Sequence, residues 1–177
     1  MGQSIVIEYD SKWPQHFEAL SEVLRQALGD HARHIHHVGS TSIPGMLAKP
    51  IIDIDVELVP GVPVEYATAV LGSIGYEFEG DRGIRDRYAY KNVSVAVPFS
   101  EHRDVWPDHH LYVCPHNSLE LARHLLFRDR LRSSSELRDA YVEIKREALR
   151  RSGGVRQVYV EEKERLGDAF FRKVIGG

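Results

Sequence analysis

From Lys49 to Pro60 the chain reads Lys-Pro-Ile-Ile-Asp-Ile-Asp-Val-Glu-Leu-Val-Pro, and no other stretch limits the available folds as tightly. β-Branched residues dominate residues 51–58 and Pro60-Gly61 closes the run, which makes it the strongest strand in the sequence. Side chains alternate along a strand, so Asp53 and Asp55 project from one face while Ile52, Ile54 and Val56 enter the other. Two like charges held side by side repel. A fold that keeps both ionised usually supplies a cation, most often a hard divalent ion that takes oxygen ligands.

Around this strand the periodicity changes twice. Residues 5–9 read as a short strand, after which Asp10 or Ser11 caps a helix with Pro14 in its first turn. Phe17, Leu20, Val23, Leu24, Ala27 and Leu28 recur at helical spacing until Gly29 stops them. A β-prone step through Ile35 and Val38 leads into Gly39-Ser40-Thr41-Ser42 and the turn signal Pro44-Gly45. A second helix, marked by Val64, Ala67, Val70, Leu71 and Ile74, closes at Gly75. Strand-like runs follow at 76–79, 84–91, 93–99 and 111–114, with Asn92 as a tight-turn residue, and together they read as an antiparallel meander. From residue 118 the pattern is helical over 118–132, over 135–152 behind a Ser133-x-x-Glu136 capping box, and over 155–175. The expected class is α+β: a mixed, largely antiparallel sheet with flanking helices and a C-terminal helical layer, covered mainly on one side. At 177 residues the chain fits one domain, 1–177.

A net charge of -3 and a pI near 6.4 argue against a protein held to DNA or a membrane by bulk positive charge. The charge is segregated, however. Residues 121–177 carry 14 Lys and Arg against 9 Asp and Glu, whereas residues 1–120 carry 9 against 17. No strand combines aromatic and basic residues into a nucleic-acid platform, so nucleic acid is disfavoured as a partner. One cysteine, Cys114, excludes an intrachain disulfide framework. No apolar run approaches the ~20 residues of a membrane span. The opening Met-Gly-Gln-Ser, followed by Ile5, has no signal-peptide pattern, and a cytoplasmic protein without a membrane partner is expected.

The Gly39-Ser40-Thr41-Ser42 loop supplies a glycine for close backbone approach, three hydroxyls and several N–H donors able to converge on an anion. From there to Asp53 the chain has enough length to leave a phosphate cradle, turn at Pro44-Gly45 and return as the acid-bearing strand. Phosphate and metal would then meet at one point, as in-line phosphoryl transfer requires. Lys49, just before the strand, is placed to neutralise a phosphate oxygen. Arg128 and Arg132 share a helix face at i, i+4, and Lys145 follows on the next helix, forming a candidate basic wall toward a triphosphate. Tyr141/Lys145 and Tyr159/Lys163 repeat a Tyr-x-x-x-Lys spacing. His31, His34, His36 and His37 show no zinc-ligand spacing.

The run from His37 to Asp55, together with His110-Leu-Tyr-Val113, Phe127-Arg-Asp-Arg-Leu-Arg132 and Tyr141-x-x-x-Lys145, resembles the GrpB family of the polymerase-beta-like nucleotidyltransferase superfamily. The resemblance runs from near Ile5 to the last helix. It implies that Gly39 and Ser40 hold a nucleotide's phosphates and that Asp53 and Asp55 bind Mg²⁺ (or Mn²⁺). A third carboxylate usually completes such a site. Here the corresponding strand offers His110, and Tyr112 stands where the family has a second histidine. The implied activity is transfer of a nucleoside monophosphate from an NTP to a small-molecule or protein acceptor, with catalytic Asp53, Asp55 and His110. The alternative it implies is a non-catalytic nucleotide-binding domain with an accessory role in coenzyme A metabolism.

Overall fold

The computed structural model describes residues 5–101 and 103–176; the opening Met-Gly-Gln-Ser segment lies outside the described residues. Five strands form one sheet: β1 (Ala32–Val38), β2 (Ile52–Leu58), β3 (Tyr76–Gly80), β4 (Tyr88–Asn92) and β5 (His109–Cys114). Their order is β1-β2-β5-β4-β3. Only β2 and β5 run parallel, and the other pairings are antiparallel. A parallel pair needs a crossover, and here it carries β3 and β4 with it. In register, Asp53 faces His110 and Asp55 faces Tyr112 on the neighbouring strand.

Five α-helices flank the sheet: α1 (Trp13–Leu28), α2 (Val64–Ser73), α3 (Leu119–Ser133), α4 (Ser135–Ser152) and α5 (Arg156–Gly176). The architecture is therefore mixed α+β. Leu20, Leu24 and Leu71 from α1 and α2 pack with Ile52, Ile54, Val56, Leu111 and Val113, the apolar side chains of the two central strands. A second cluster joins Ile43, Met46 and Leu47 to Leu131, Val142, Tyr159 and Val174 of the C-terminal helices. The sheet is thus not covered on one side only: α1 and α2 close its apolar face, and α3 to α5 stand over the acid-bearing face across a cleft.

Several sequence expectations are corrected. Residues 5–9 form a single bridge, Ile7 to Ala48, because they pair with the loop before β2 and send Val6 into the second cluster. The run 84–91 becomes strand only at Tyr88, since Asp86 at φ 58 cannot continue an extended ladder. Residues 93–99 form no strand, and Asn92 ends β4 rather than turning into a further strand. The place beside β4 that a meander would assign to them is taken by β5. Trp106 instead pins the segment by donating Nε1–H to Pro98 O at 2.8 Å. The α4 cap is Ser134, whose hydroxyl accepts from Leu137 N–H, while Ser133 ends α3. Lys12 holds the cap position of α1, with its N–H donated to the Asp10 carboxylate. No helix among the described residues is long and apolar enough to cross a membrane.

Candidate functional site

The acid-bearing face of β2 has a regular construction. Asp53, Asp55 and Glu57 alternate along it, and each carboxylate meets an imidazole from a different element. His110 of β5 donates Nδ1–H to Asp53 Oδ1 at 2.8 Å. His124 of α3 donates to Asp55 Oδ2 at 2.7 Å, and His116, after β5, reaches Glu57 at 3.0 Å. The two aspartates nonetheless differ in kind. The Asp53 side chain is 30% exposed at the mouth of a cleft, whereas Asp55 is at 0%.

Asp55 is enclosed by positive charge. Burial alone would pull the His124 imidazole down, but its hydrogen bonds to Asp55 and Glu120 outweigh that and lift it to about 9, so it is cationic at neutral pH. The Arg87 guanidinium stacks 3.3 Å over the Tyr112 ring, with Nε 4.0 Å from Asp55 Oδ1. That is too far for a hydrogen bond. Asp55 Oδ1 and Arg87 Nε are both buried without hydrogen-bond partners.

The loop after β1 is tightly built. Gly39, at φ 68, lies so close to β2 that a Cβ there would come 2.1 Å from Asp53 Oδ2. Only glycine combines that conformation with that approach. The Ser42 hydroxyl donates back to Gly39 O at 2.6 Å, and Thr41 donates to Ile51 O at 3.1 Å. With its proton committed, Thr41 Oγ1 accepts from His37 Nε2 at 3.0 Å, which fixes the proton of that imidazole on Nε2. Burial, with Arg132 nearby, holds His37 down at about 4 and therefore neutral. Two arginines of α3 grip carbonyls on either side of Gly39, Arg128 on His37 O at the end of β1 at 3.1 Å and Arg132 on Ser42 O in the loop at 2.9 Å.

Between this face and the C-terminal helices lies a cleft of about 640 Å³, within the range of small-molecule and cofactor sites. Of the residues singled out in the sequence, Ser40, Thr41, Lys49, Asp53, His110 and Lys145 line it. Lys145 is buried and donates to Ser40 Oγ at 2.5 Å and to Leu47 O at 2.6 Å. Burial, compounded by Lys163 and Lys49, pushes its ammonium down to about 7. Lys49 is also lowered, by burial first and then by Lys163 and Arg156. Three lysines therefore converge on one end of the cleft, where they repel one another. Tyr141 and Tyr159, partners in the repeated Tyr-x-x-x-Lys spacing, line the same walls.

The other candidates stand apart from this cleft. Gly39 and Arg128 line a smaller adjoining cavity, Asp55 lies behind the wall, and the Ser42 hydroxyl is used within the loop. The sequence reading missed His124, Glu120 and Arg87. Glu120, His124 and Arg128 recur every four residues on α3, a stripe that helical spacing alone identifies. Arg87 lies in the run 84–91 that the sequence reads as strand, but β4 starts only at Tyr88 and Arg87 falls in the irregular segment before it.

A divalent metal can be tested against this donor set. Among the described residues, no group of three or more His, Cys, Asp and Glu side chains stands in ligating geometry. Mg²⁺, however, is commonly held by one or two carboxylates together with substrate phosphates. Asp53 at the cleft fits that mode; Asp55, on the same strand face, has a partnerless Oδ1 but lies fully buried behind the cleft wall with Arg87 Nε 4.0 Å away. His110, hydrogen-bonded to Asp53, brings an imidazole and no further carboxylate to this wall.

Comparison with known proteins follows the same outline. The model of the family described as GrpB protein matches residues 3–174. A UPF0157 protein of Pseudomonas aeruginosa is 39% identical over 140 residues, covering 79% of this chain and 54% of the relative, so the chain spans about half that protein's length. The crystal structure of the conserved protein GrpB from Enterococcus faecalis superposes with a TM-score of 0.77 at 28% identity, covering 97% of this chain and 95% of that one. A structure of the Cid1 poly(U) polymerase with MgGTP bound superposes with a TM-score of 0.53 at 15% identity, over 78% of this chain and 43% of that one. At that identity the likeness concerns the fold, which is of the nucleotidyltransferase type.

Proposed function

The chain belongs to the GrpB family, and from that premise we infer that its cleft binds a nucleoside triphosphate and transfers the nucleoside monophosphate to an acceptor. One observation carries the reading: Lys145 donates to the Ser40 hydroxyl, and Lys49 and Lys163 line the same cleft, which has the Asp53 carboxylate on its wall. Lys145, lowered by burial and by Lys163 and Lys49, and the half-buried Lys49, lowered by burial and by Lys163 and Arg156, crowd positive charge that a polyphosphate would balance. The fold shared with Cid1, a poly(U) polymerase whose structures include one with MgGTP bound, is consistent with this.

In this reading the lysines and Ser40 hold the phosphates, and Asp53 with Asp55 would hold Mg²⁺ or Mn²⁺. Such an ion, when bound, neutralises phosphate charge and stabilises the oxygens of an in-line displacement. His110 orients Asp53 through its 2.8 Å hydrogen bond. Tyr141, stacked on Phe170, and the buried Tyr159 form part of the cleft wall beside the lysines.

A second reading, nucleotide binding without transfer, is favoured by the His124 and Arg87 charges around Asp55 and by the histidine at the third position. Calorimetric titration with the four NTPs and Mg²⁺, combined with an assay for pyrophosphate release, separates the two. Binding with release, both impaired by Asp53→Asn, supports transfer, whereas binding without release under a broad acceptor panel supports the second reading. Failure to bind any NTP ends both.

A further inference from the structure

The small cavity beside the cleft has a different chemistry. Its volume is about 190 Å³, and it shares Asp53, Arg87, His124 and Phe127 with the larger space, so Asp53 stands at the junction of the two. Val38 and Ile43 provide apolar wall, and Arg87 and Arg128 bring two guanidinium groups. His124 also lines the cavity, its ring nitrogens already engaged with Asp55 and Glu120. Against these the cavity has one carboxylate in its lining, Asp53, which already accepts from His110.

The guanidiniums are incompletely used. Both side chains are about six-sevenths buried, with exposures of 15% for Arg87 and 14% for Arg128. Arg87 Nε has no hydrogen-bond partner. Arg128 commits Nη1 to His37 O and Nε to Asp129, which leaves the Nη2 edge of its fork. A desolvated guanidinium without a full set of acceptors is costly, and a planar or tetrahedral oxyanion is the group whose geometry matches the fork. The volume is below that of a typical drug-sized pocket, which excludes a second nucleotide.

We propose that this cavity binds a small organic anion, a carboxylate or phosphate monoester, gripped by Arg87 and Arg128 and seated next to Asp53. Its binding stands on the cavity alone; its role as acceptor rests on the nucleotide reading above. In that role a hydroxyl oxygen of the anion forms the bond to the α-phosphorus, the bond from that phosphorus to the pyrophosphate oxygen breaks, pyrophosphate departs with the electron pair, and the hydroxyl proton passes to solvent.

The test uses the full chain labelled with ¹⁵N, titrated with succinate, with glycerol 3-phosphate and with neutral glycerol, while the arginine Nε–Hε signals are followed. Saturable shifts of Arg87 and Arg128 with succinate, with glycerol 3-phosphate or with both are expected, and the response identifies the carboxylate or phosphate arm. Glycerol should leave the signals in place. Arg128→Gln should weaken anion binding about tenfold or more, the worth of a charge-assisted hydrogen bond, while ATP affinity stays within about twofold. Because Arg128 also grips His37 O, Arg87→Gln serves as the second variant. The expected anion affinity is unchanged by saturating ATP. If ATP itself fails to bind while the anion still binds, the nucleotide reading falls and the anion site stands. No saturable shift up to about 50 mM of either anion, or displacement of the anion by stoichiometric ATP, overturns the proposal.

Discussion

The floor of the cleft and its lysine-lined end solve the problem of buried charge in opposite ways. At the floor, Asp55 lies at zero exposure beside His124 and Arg87, and Glu120 pairs with the other nitrogen of His124. The proton on His124 is held more tightly than in water. At the other end, Lys49, Lys145 and Lys163 are brought together with Asp53 and Glu164 as partial counterweights, and Lys145 responds by releasing its proton more easily. The first region balances its charges with its own residues, although Asp55 Oδ1 and Arg87 Nε have no hydrogen-bond partner. The second gathers cations that an anion would balance, and on that contrast the proposed nucleotide site can be tested.

Removing a partner from the first region should cost most. Asp55→Ala strands a cationic imidazole and a guanidinium, and is expected to destabilise the chain by about 3–5 kcal/mol in urea unfolding. The same truncation at the partly exposed Asp53 should cost no more than about 1 kcal/mol. Equal losses would erase the distinction between floor and mouth. Gly39→Ala comes next. Its positive φ and the close approach to Asp53 predict a loss of about 2 kcal/mol, accompanied by displacement of the Asp53 carboxylate, visible in a crystal structure of the variant.

At the lysine end the expectation reverses. Lys145→Met exchanges a buried ammonium for an apolar chain of similar length, so unfolding free energy should stay within about 1 kcal/mol while ATP affinity falls roughly tenfold or more. A large stability loss with unchanged affinity would make Lys145 a structural tether of the Ser40 loop.

The pH dependence tests the same contrast. His124, raised to about 9 from 6.5, contributes stability that is fully present below pH 6.5 and is lost as pH rises through 9. Lys145, lowered to about 7 from 10.5, does the opposite: its penalty is complete below pH 7 and is relieved as pH rises toward 10.5. In the overlapping window the two slopes oppose each other. Thermal melts of His124→Asn should therefore gain stability from pH 7 to 9 relative to wild type, and those of Lys145→Met should lose it. A bound triphosphate should also restore the Lys145 proton, so that ATP binding at pH 8 to 9 takes up protons, measurable by calorimetry in buffers of different ionisation enthalpy.

The local pattern of the sequence was sufficient for the helices, for β2, and for the common face of Asp53 and Asp55, because each depends on a period of 3.6 or 2 within a few residues. It was sufficient as well for the meeting of Ser40 with Asp53, which are joined by a short loop. It was insufficient where distant partners decide. Residues 93–99 are as apolar as a strand, yet β5, arriving by a crossover, occupies the place beside β4. Asp55 appeared equivalent to Asp53 because burial by α3, some 70 positions later in the chain, leaves no local trace. Arg87 approaches Asp55 from an irregular segment for the same reason. Arg128 and Lys145 both looked like phosphate ligands, and only the packing of α3 and α4 assigns them to different cavities.

The most direct measurement is isothermal titration of the wild-type chain and of Lys145→Met with ATP and UTP in the presence of Mg²⁺. The account predicts saturable binding by the wild type and at least about a tenfold loss in the variant. A wild-type chain that takes up neither nucleotide, or a variant that binds them as well as the wild type, would contradict it.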